Sequence, residues 1–456
     1  MSERLVIRGG RVIDPASGVD LVGDVIIEDG RIAGVGPSGS GGEPAEVVDA
    51  AGLVVTPGFV DLHTHLRDPG FEYKETIETG TRAAARGGFT TVCAMPNTQP
   101  PADSRATIEY VVRTAASRGC VRVLPIGCVT KGRAGKELAE LADLAEAGAV
   151  AFSDDGDCVA DGGVMRRALQ YASALGLAVI QHAEDPALSR RAPMHEGWVA
   201  TRLGLAGQPA AAEESVVARD IALAEELARA GFPVRLHIAH VSVKGAVEAI
   251  ALARARGVPV TAEVTPQHLT LTHEAVAWRD GDGSLAYDTY AKVNPPLRTR
   301  EDVRACVAAL ASGAIDAVAT DHAPHASVEK DCEFDQAAFG ISGLETALAL
   351  ALTLYHERQV DLPRLVEALT IGPVRALGLD RFEPGVGTLR PGAPGDVTVF
   401  DPDAAWVVDP EAFASKGKNT PLAGRTLRGK VVVTVVGGRV AHREGAAATA
   451  SGRLTG

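Results

Sequence analysis

Aromatic side chains make up only 4% of the chain, and no apolar run among its 456 residues is long enough to cross a bilayer. With so few rings and with 50 glycines and 26 prolines, the core must consist mostly of small and branched aliphatic residues joined by many turns. Positive charge is also in short supply. The formal net charge is −13, so there is no broad basic field to hold polyphosphate or an anionic lipid surface, and nucleic acid and membranes are poor partners. Cys93, Cys120, Cys128, Cys158, Cys306 and Cys332 contain no C-x-x-C pair, which argues against both a disulfide scaffold and a thiolate metal site. The opening MSERLVIRGG lacks the apolar stretch of a signal peptide, so a cytoplasmic protein is expected.

What is present is a regular alternation. The first 36 residues are short β-rich runs broken by Gly, Asp and Pro turns, and the texture returns in GTLRPGAPGDVTVFD and GKVVVTVVGGRVAHREG. Isolated hairpins are marginal, so the two chain ends are expected to pair into one β-sandwich, with a fraying tail after about Glu444. Between them lie eight apolar runs, each followed by a helical segment: LVVTPGFVDLHTHL, FTTVCAMPN, VRVLPIGCVT, AVAFSDDG, LAVIQHAED, VRLHIAHVS, VPVTAEVTPQHL and IDAVATDHAPH. Lys136–Ala147 and Glu213–Gly231 carry helical spacing of their apolar residues. This predicts an α/β protein, a (β/α)8 TIM-type barrel over residues 58–380 with a small β-sandwich built from residues 1–57 and 381–456. An open doubly wound sheet would carry a Gly-rich phosphate turn after its first strand, and none occurs.

In such a barrel the chemistry sits where the strands end. Here the first run ends in His63 and His65, the fourth in Asp154, the fifth in His182, the sixth in His240 and the eighth in Asp321. A single strand-end histidine is more often a hydrogen-bonded rim imidazole than a ligand. Four imidazoles and two carboxylates on one face are different: without a cation they would gather several costly polar groups with nothing to satisfy them. The donor set suits zinc or a similar transition metal, and six ligands exceed what one tetrahedral ion with an open position uses. Two ions sharing a carboxylate would employ them all. Asp155 competes with Asp154 for that bridge, because alternation turns only one of the two inward. His237 is expected to face the opposite way from His240, and His322 from Asp321, so both are assigned to packing or supporting positions, and His195, His268, His273, His356 and His442 are read as non-ligands.

DLHTHLRDPG, GGFTTVCAMPNTQP, QHAED, HIAHVS, AEVTPQHL, KVNPPLR, TDHAPH and GISGLET resemble the amidohydrolase superfamily, and within it the bacterial type I dihydroorotases. The resemblance implies zinc at His63, His65 and Asp321, a second zinc at His182 and His240, and Asp154 between them, with single-ion occupancy as the alternative. Many relatives bridge their metals with a carboxylated lysine at the fourth strand. That position holds Ser153-Asp154-Asp155 here, which lowers the odds of an allantoinase, hydantoinase or dihydropyrimidinase. Lys131, ending the third run, is the one lysine placed to compete, and a solvent-exposed role is expected for it.

The same likeness implies a cyclic amide substrate bearing a carboxylate, met by Arg67, Asn97, Asn294, His325 and the backbone of Phe339 and Gly340, with His65 also at the ring. Arg67 suits a planar carboxylate because its guanidinium donates two parallel hydrogen bonds. Asp321 is the expected acid/base in reversible conversion of N-carbamoyl-L-aspartate to L-dihydroorotate and water, a step of pyrimidine biosynthesis. The likeness further implies a homodimer and leaves room for a complex with aspartate transcarbamoylase. A catalytically dead scaffold for that partner is the rival from another class, but such scaffolds typically lack the metal histidines, and here they are present.

Overall fold

The computed structural model describes residues 4–39, 46–277 and 287–445; the expected fraying tail falls almost wholly outside that range. Its strands are, in chain order, β1 (Arg4–Asp14), β2 (Val19–Glu28), β3 (Arg31–Gly36), β4 (Glu46–Asp49) and β5 (Val54–Pro57). Then come β6 (Phe59–Thr64), β7 (Phe89–Ala94), β8 (Arg122–Gly127), β9 (Ala151–Ser153) and β10 (Ala178–Gln181). The two-residue β11 (Met194–His195) and β12 (Gly207–Gln208) precede β13 (Leu236–Ile238), β14 (Val260–Val264) and β15 (Ala317–Val318). The chain closes with β16 (Val397–Val407), β17 (Thr426–Val436) and β18 (Arg439–Arg443).

The eight apolar runs became the eight parallel strands of a nearly closed barrel, ordered β6-β7-β8-β9-β10-β13-β14-β15. A Thr64–His322 bridge, with the His65 amide donating to the His322 carbonyl at 2.8 Å, draws the last run against the first. The strands from both chain ends form a separate, mainly antiparallel sheet, β18-β17-β16-β5-β1-β2-β3 with β4 beside β1. Its two halves meet where β16 pairs with β5, Val399 opposite Val55. That sheet has its own aliphatic core, including Ile7, Val25, Ile27, Val397 and Val433. It is seated on the barrel through Phe400, whose ring lies 6.1 Å from Phe59, itself 5.8 Å from Phe89. Three of the few aromatic residues thus meet at this seam.

The barrel interior is filled by small and branched side chains, Val60, Leu62, Cys93, Ile126, Ala151, Ile180, Ala239, Ala317 and Ala319 among them. This is how a chain poor in rings fills a closed sheet. The Glu213–Gly231 segment is helical as its spacing predicts, the helix running from Ala211 to Arg229. The Lys136–Ala147 segment departs from expectation, being helical only over Leu141–Glu146. Its first residues instead bond back onto the strand-end loop, where Thr130 bridges Leu138 and Ala139 donates to the Val129 carbonyl. Tertiary pairing at the mouth of the barrel outcompetes local helical spacing there.

Candidate metal centre

The four strand-end histidines converge, and the carboxylate among them is Asp155, not Asp154. Asp155 lies 3.2 Å from His63 Nε2 and 3.4 Å from His65 Nε2 on one side. On the other it lies 3.5 Å from His182 Nδ1 and 3.6 Å from His240 Nε2. Two triads able to grip a cation therefore share this one carboxylate: His63, His65, Asp155 and Asp155, His182, His240. Asp321 stands beside the first, its Oδ1 3.1 Å from His65 Nε2 and 3.6 Å from His63 Nε2.

The expectation for Asp154 is corrected by strand alternation. Ala151 points into the barrel and Phe152 into the outer helical layer, so Ser153 and then Asp155 return to the inside. Asp154 shares the outward side of Phe152. There its carboxylate accepts from the Thr130 amide at 2.9 Å and from the Thr130 hydroxyl, fixing the loop after β8 to the end of β9. Arg133 completes the clamp by donating to the carbonyl of Asp155 at 2.8 Å. Lys131 is exposed and paired with Glu137, so it does not compete for the centre.

Other strand ends need local irregularity to deliver their ligands. Val60 and Leu62 face the interior, so strict alternation would turn His63 away; the β6–β7 register slips between Asp61 and Thr64, and His63 joins the cluster. His240 follows the inward-facing Ala239 and is turned back by a left-handed backbone, φ +32°. His237, expected to face the opposite way, also lies inside the barrel, one layer deeper, against Glu263. His322 pairs with Glu75, away from the cluster.

The donor chemistry fits divalent cations. His63 Nε2 and Asp155 Oδ1 are buried without any hydrogen-bond partner, an arrangement that costs about 1–3 kcal/mol per group unless something else satisfies it. Burial opposes ionisation of Asp155, but His63, His182 and His240 outweigh it and hold the carboxyl well below its usual range. Behind the ligands stand groups that fix their ring orientation. His65 Nδ1 lies 2.8 Å from Asn97 Oδ1, and His182 Nε2 lies 3.0 Å from Glu184. Asn294 donates to Glu184 at 2.6 Å. Asn97 is therefore committed through its oxygen, leaving its NH2 group as the donor it can offer.

Beside the cluster is a cationic corner. Arg67, half-buried and in a left-handed conformation at φ +62°, reaches to 3.3 Å from His325 Nε2. Burial lowers its pKa to about 10, which leaves the guanidinium charged. Burial, with Arg67, Lys330 and Lys74 nearby, lowers His325 to about 3, so this imidazole stays neutral at physiological pH. Lys74 is held by Glu329 at 2.6 Å. The loop that follows is clasped from below by the buried Lys330, which donates to the Ala338 carbonyl at 2.6 Å and to Thr289 at 3.0 Å.

Gly340 sits at φ +140°, and a Cβ there would come within 2.5 Å of Ala323. The Phe339 carbonyl lies 2.8 Å from His325 Nε2, and the Gly340 amide donates to the Lys292 carbonyl at 2.9 Å. Asn419, beyond the barrel, ties the segment down by donating to the carbonyls of Ala323 and Gly340, each at 3.0 Å.

A nearly closed parallel barrel with a histidine and carboxylate cluster at its strand ends places the chain among the amidohydrolases. A profile of dihydro-orotase-like proteins matches residues 52–246. The dihydroorotase of Anaeromyxobacter sp. (strain K) is 54% identical over 447 residues, covering 98% of this chain and all of that one. That of Pelotomaculum thermopropionicum is 53% identical over 97% of this chain and 99% of its own. Among solved structures, the L-hydantoinase (dihydropyrimidinase) of Arthrobacter aurescens superposes with a TM-score of 0.85 at 27% identity, covering 98% of both chains. The chain belongs to the dihydroorotase family, with the hydantoinases as a related branch.

Asp155, Glu184, Glu263 and Asn419 are the residues near the site that sequence reasoning left unassigned or placed second. For Asp155 a signal existed in the alternation from Ala151, had the inward face of that strand been known. Glu184 and Glu263 lie inside quoted motifs but acquire meaning only from the imidazoles they touch.

Proposed function

We propose that the chain interconverts N-carbamoyl-L-aspartate and L-dihydroorotate in pyrimidine biosynthesis, using two zinc ions held by His63, His65, Asp155, His182, His240 and Asp321. The observation that carries this reading is the juxtaposition of the shared-carboxylate cluster with the half-buried, charged Arg67 and neutral His325. A neutral hydantoin offers that corner nothing to neutralise, whereas a ring carboxylate does.

When bound, a pair of divalent cations supplies Lewis acidity toward a water and toward the ring amide carbonyl. Arg67 grips the substrate carboxylate, and His325 adds a hydrogen bond beside it. Asn97 donates through its free NH2 group, and Asn294 lines the His182 side of the mouth. Phe339 and Gly340 supply the backbone wall that closes the pocket. In hydrolysis the water oxygen adds to the amide carbon, the C–N bond breaks, and Asp321 carries the water proton to the departing nitrogen. Asp321 touches His65 and His63 through Oδ1, leaving Oδ2 for that proton. In ring closure the ureido nitrogen attacks the side-chain carboxylate carbon, Asp321 accepts its proton, and water leaves.

The test is a parallel assay of dihydroorotate, hydantoin and allantoin with protein treated with chelator and then reloaded with zinc. Dihydroorotate turnover that vanishes with the metal and returns with zinc is expected; preference for hydantoin or allantoin would overturn the substrate assignment. Arg67→Met is expected to lower kcat/KM for dihydroorotate by roughly 30- to 5000-fold, since removing one partner of a charge pair buried in the complex costs about 2–5 kcal/mol. Neutral cyclic imides should lose far less, and an equal loss on both would contradict the role of Arg67.

A further inference from the structure

The seventh barrel strand, β14, contributes no residue to the metal cluster, yet it places a fully buried carboxylate directly behind it. Val260, Ala262 and Val264 pack outward in the helical layer, so Thr261 and Glu263 point into the barrel. Glu263 lies 2.7 Å from His63 Nδ1 through one oxygen and 3.2 Å from His237 Nε2 through the other. His237 Nδ1 is in turn 2.8 Å from the Thr261 hydroxyl. Glu263, His63 and His237 are each completely shielded from solvent.

A carboxylate so placed is costly unless charge compensates it, and among the described residues its ion-pair partners within 4 Å are these two imidazoles, with no lysine or arginine. Its geometry also selects a tautomer. An imidazole that donates from Nδ1 to Glu263 must present the lone pair of Nε2, and His63 Nε2 is the atom left without a hydrogen-bond partner beside Asp155. Because His237 holds the second oxygen, the carboxylate cannot rotate away without giving up both contacts.

We infer that Glu263 is a positioning residue: through its bond to His63 Nδ1, and anchored by His237, it fixes the metal-binding form of His63 and places the negative charge that retains the cation at His63 and His65. The inference rests on the metal pair of the proposed function and extends it to a strand that supplies no ligand. It separates into a geometric part and a charge part, which two variants distinguish. In Glu263→Gln the amide oxygen can still accept from His63 and the amide nitrogen can face His237, whose own proton can move to the side of Thr261; the hydrogen bonds survive and only the charge is lost. In His237→Leu the charge stays and one anchor is lost.

The experiment uses the full chain loaded with Co(II), following release of each ion to a chelator and the ligand-field absorption bands. Wild-type protein is expected to hold two ions per chain. Glu263→Gln is expected to release one of them about 10–100-fold faster, the other at the wild-type rate, with shifted bands; His237→Leu is expected to lie between the two. Wild-type release rates and unshifted bands in both variants would overturn the inference while leaving the metal reading intact. Wild-type protein that takes up no Co(II) would overturn the metal reading itself, and this inference with it. If Glu263→Gln does not fold, His237→Leu alone decides: faster release of one ion supports the anchor, and an unchanged rate refutes it.

Discussion

Asp155→Ala is expected to abolish retention of both metal ions and to lower kcat/KM for dihydroorotate by at least about 1000-fold, some 4 kcal/mol of transition-state stabilisation. The size follows from its position. Asp155 is the one carboxylate common to both triads, and all four histidines approach it within 3.6 Å. Removing it leaves those imidazoles crowded in a buried space with no carboxylate shared between the two pairs. Asp154→Ala provides the contrast one residue away. It leaves the Thr130 amide and hydroxyl without their acceptor and is expected to cost about 1–3 kcal/mol of stability while metal uptake persists. Metal analysis of the two purified variants, together with thermal melts, separates them. Metal loss in Asp154→Ala and retention in Asp155→Ala would reverse the assignment made from strand direction.

Asp321→Asn is expected to reduce turnover by about 100- to 10,000-fold, the range over which a positioned acid/base contributes, while substantial metal remains bound. The histidines and Asp155 are untouched by this substitution, and an amide oxygen can still face His65 at the 3.1 Å position of the carboxylate. What disappears is the capacity to take up a proton and give it back. The loss should therefore appear in kcat more than in KM, and in both directions of the reaction. Near-normal kcat with full metal content would remove Asp321 from proton transfer.

The two variants act on different links of one chain of causes. In the proposed function Asp155 holds the charge on which the centre depends, and Asp321 is assigned the proton transfer beside it. Arg67 and His325 form a third element, set apart from the cluster, to which the proposed function assigns the choice of which cyclic amide is accepted rather than whether any is opened. Asn419 shows how far the support for that corner extends: a side chain from beyond the barrel ties the His325 loop to the Gly340 segment.

The primary structure by itself determined the alternation of apolar runs and helices, the pairing of the chain ends into a second sheet, and the convergence of His63, His65, His182, His240 and Asp321 at one rim. Order places those five residues at one end of a parallel barrel, but period alone would turn His63 and His240 away, and the register slip in β6 and the left-handed backbone at His240 bring them in. Only the tertiary structure decided between Asp154 and Asp155, because both are strand-end carboxylates and the choice depends on which face of a three-residue strand meets the interior. It likewise decided that Glu263 and His237 face inward beneath the site, that the helix after β8 is shortened by pairing with Thr130, and that His240 is turned back by a left-handed backbone. Each of these outcomes depends on neighbours remote in the chain. A side chain's direction at a strand end is set by register slips and backbone turns that close the barrel, and local pattern carries no trace of them.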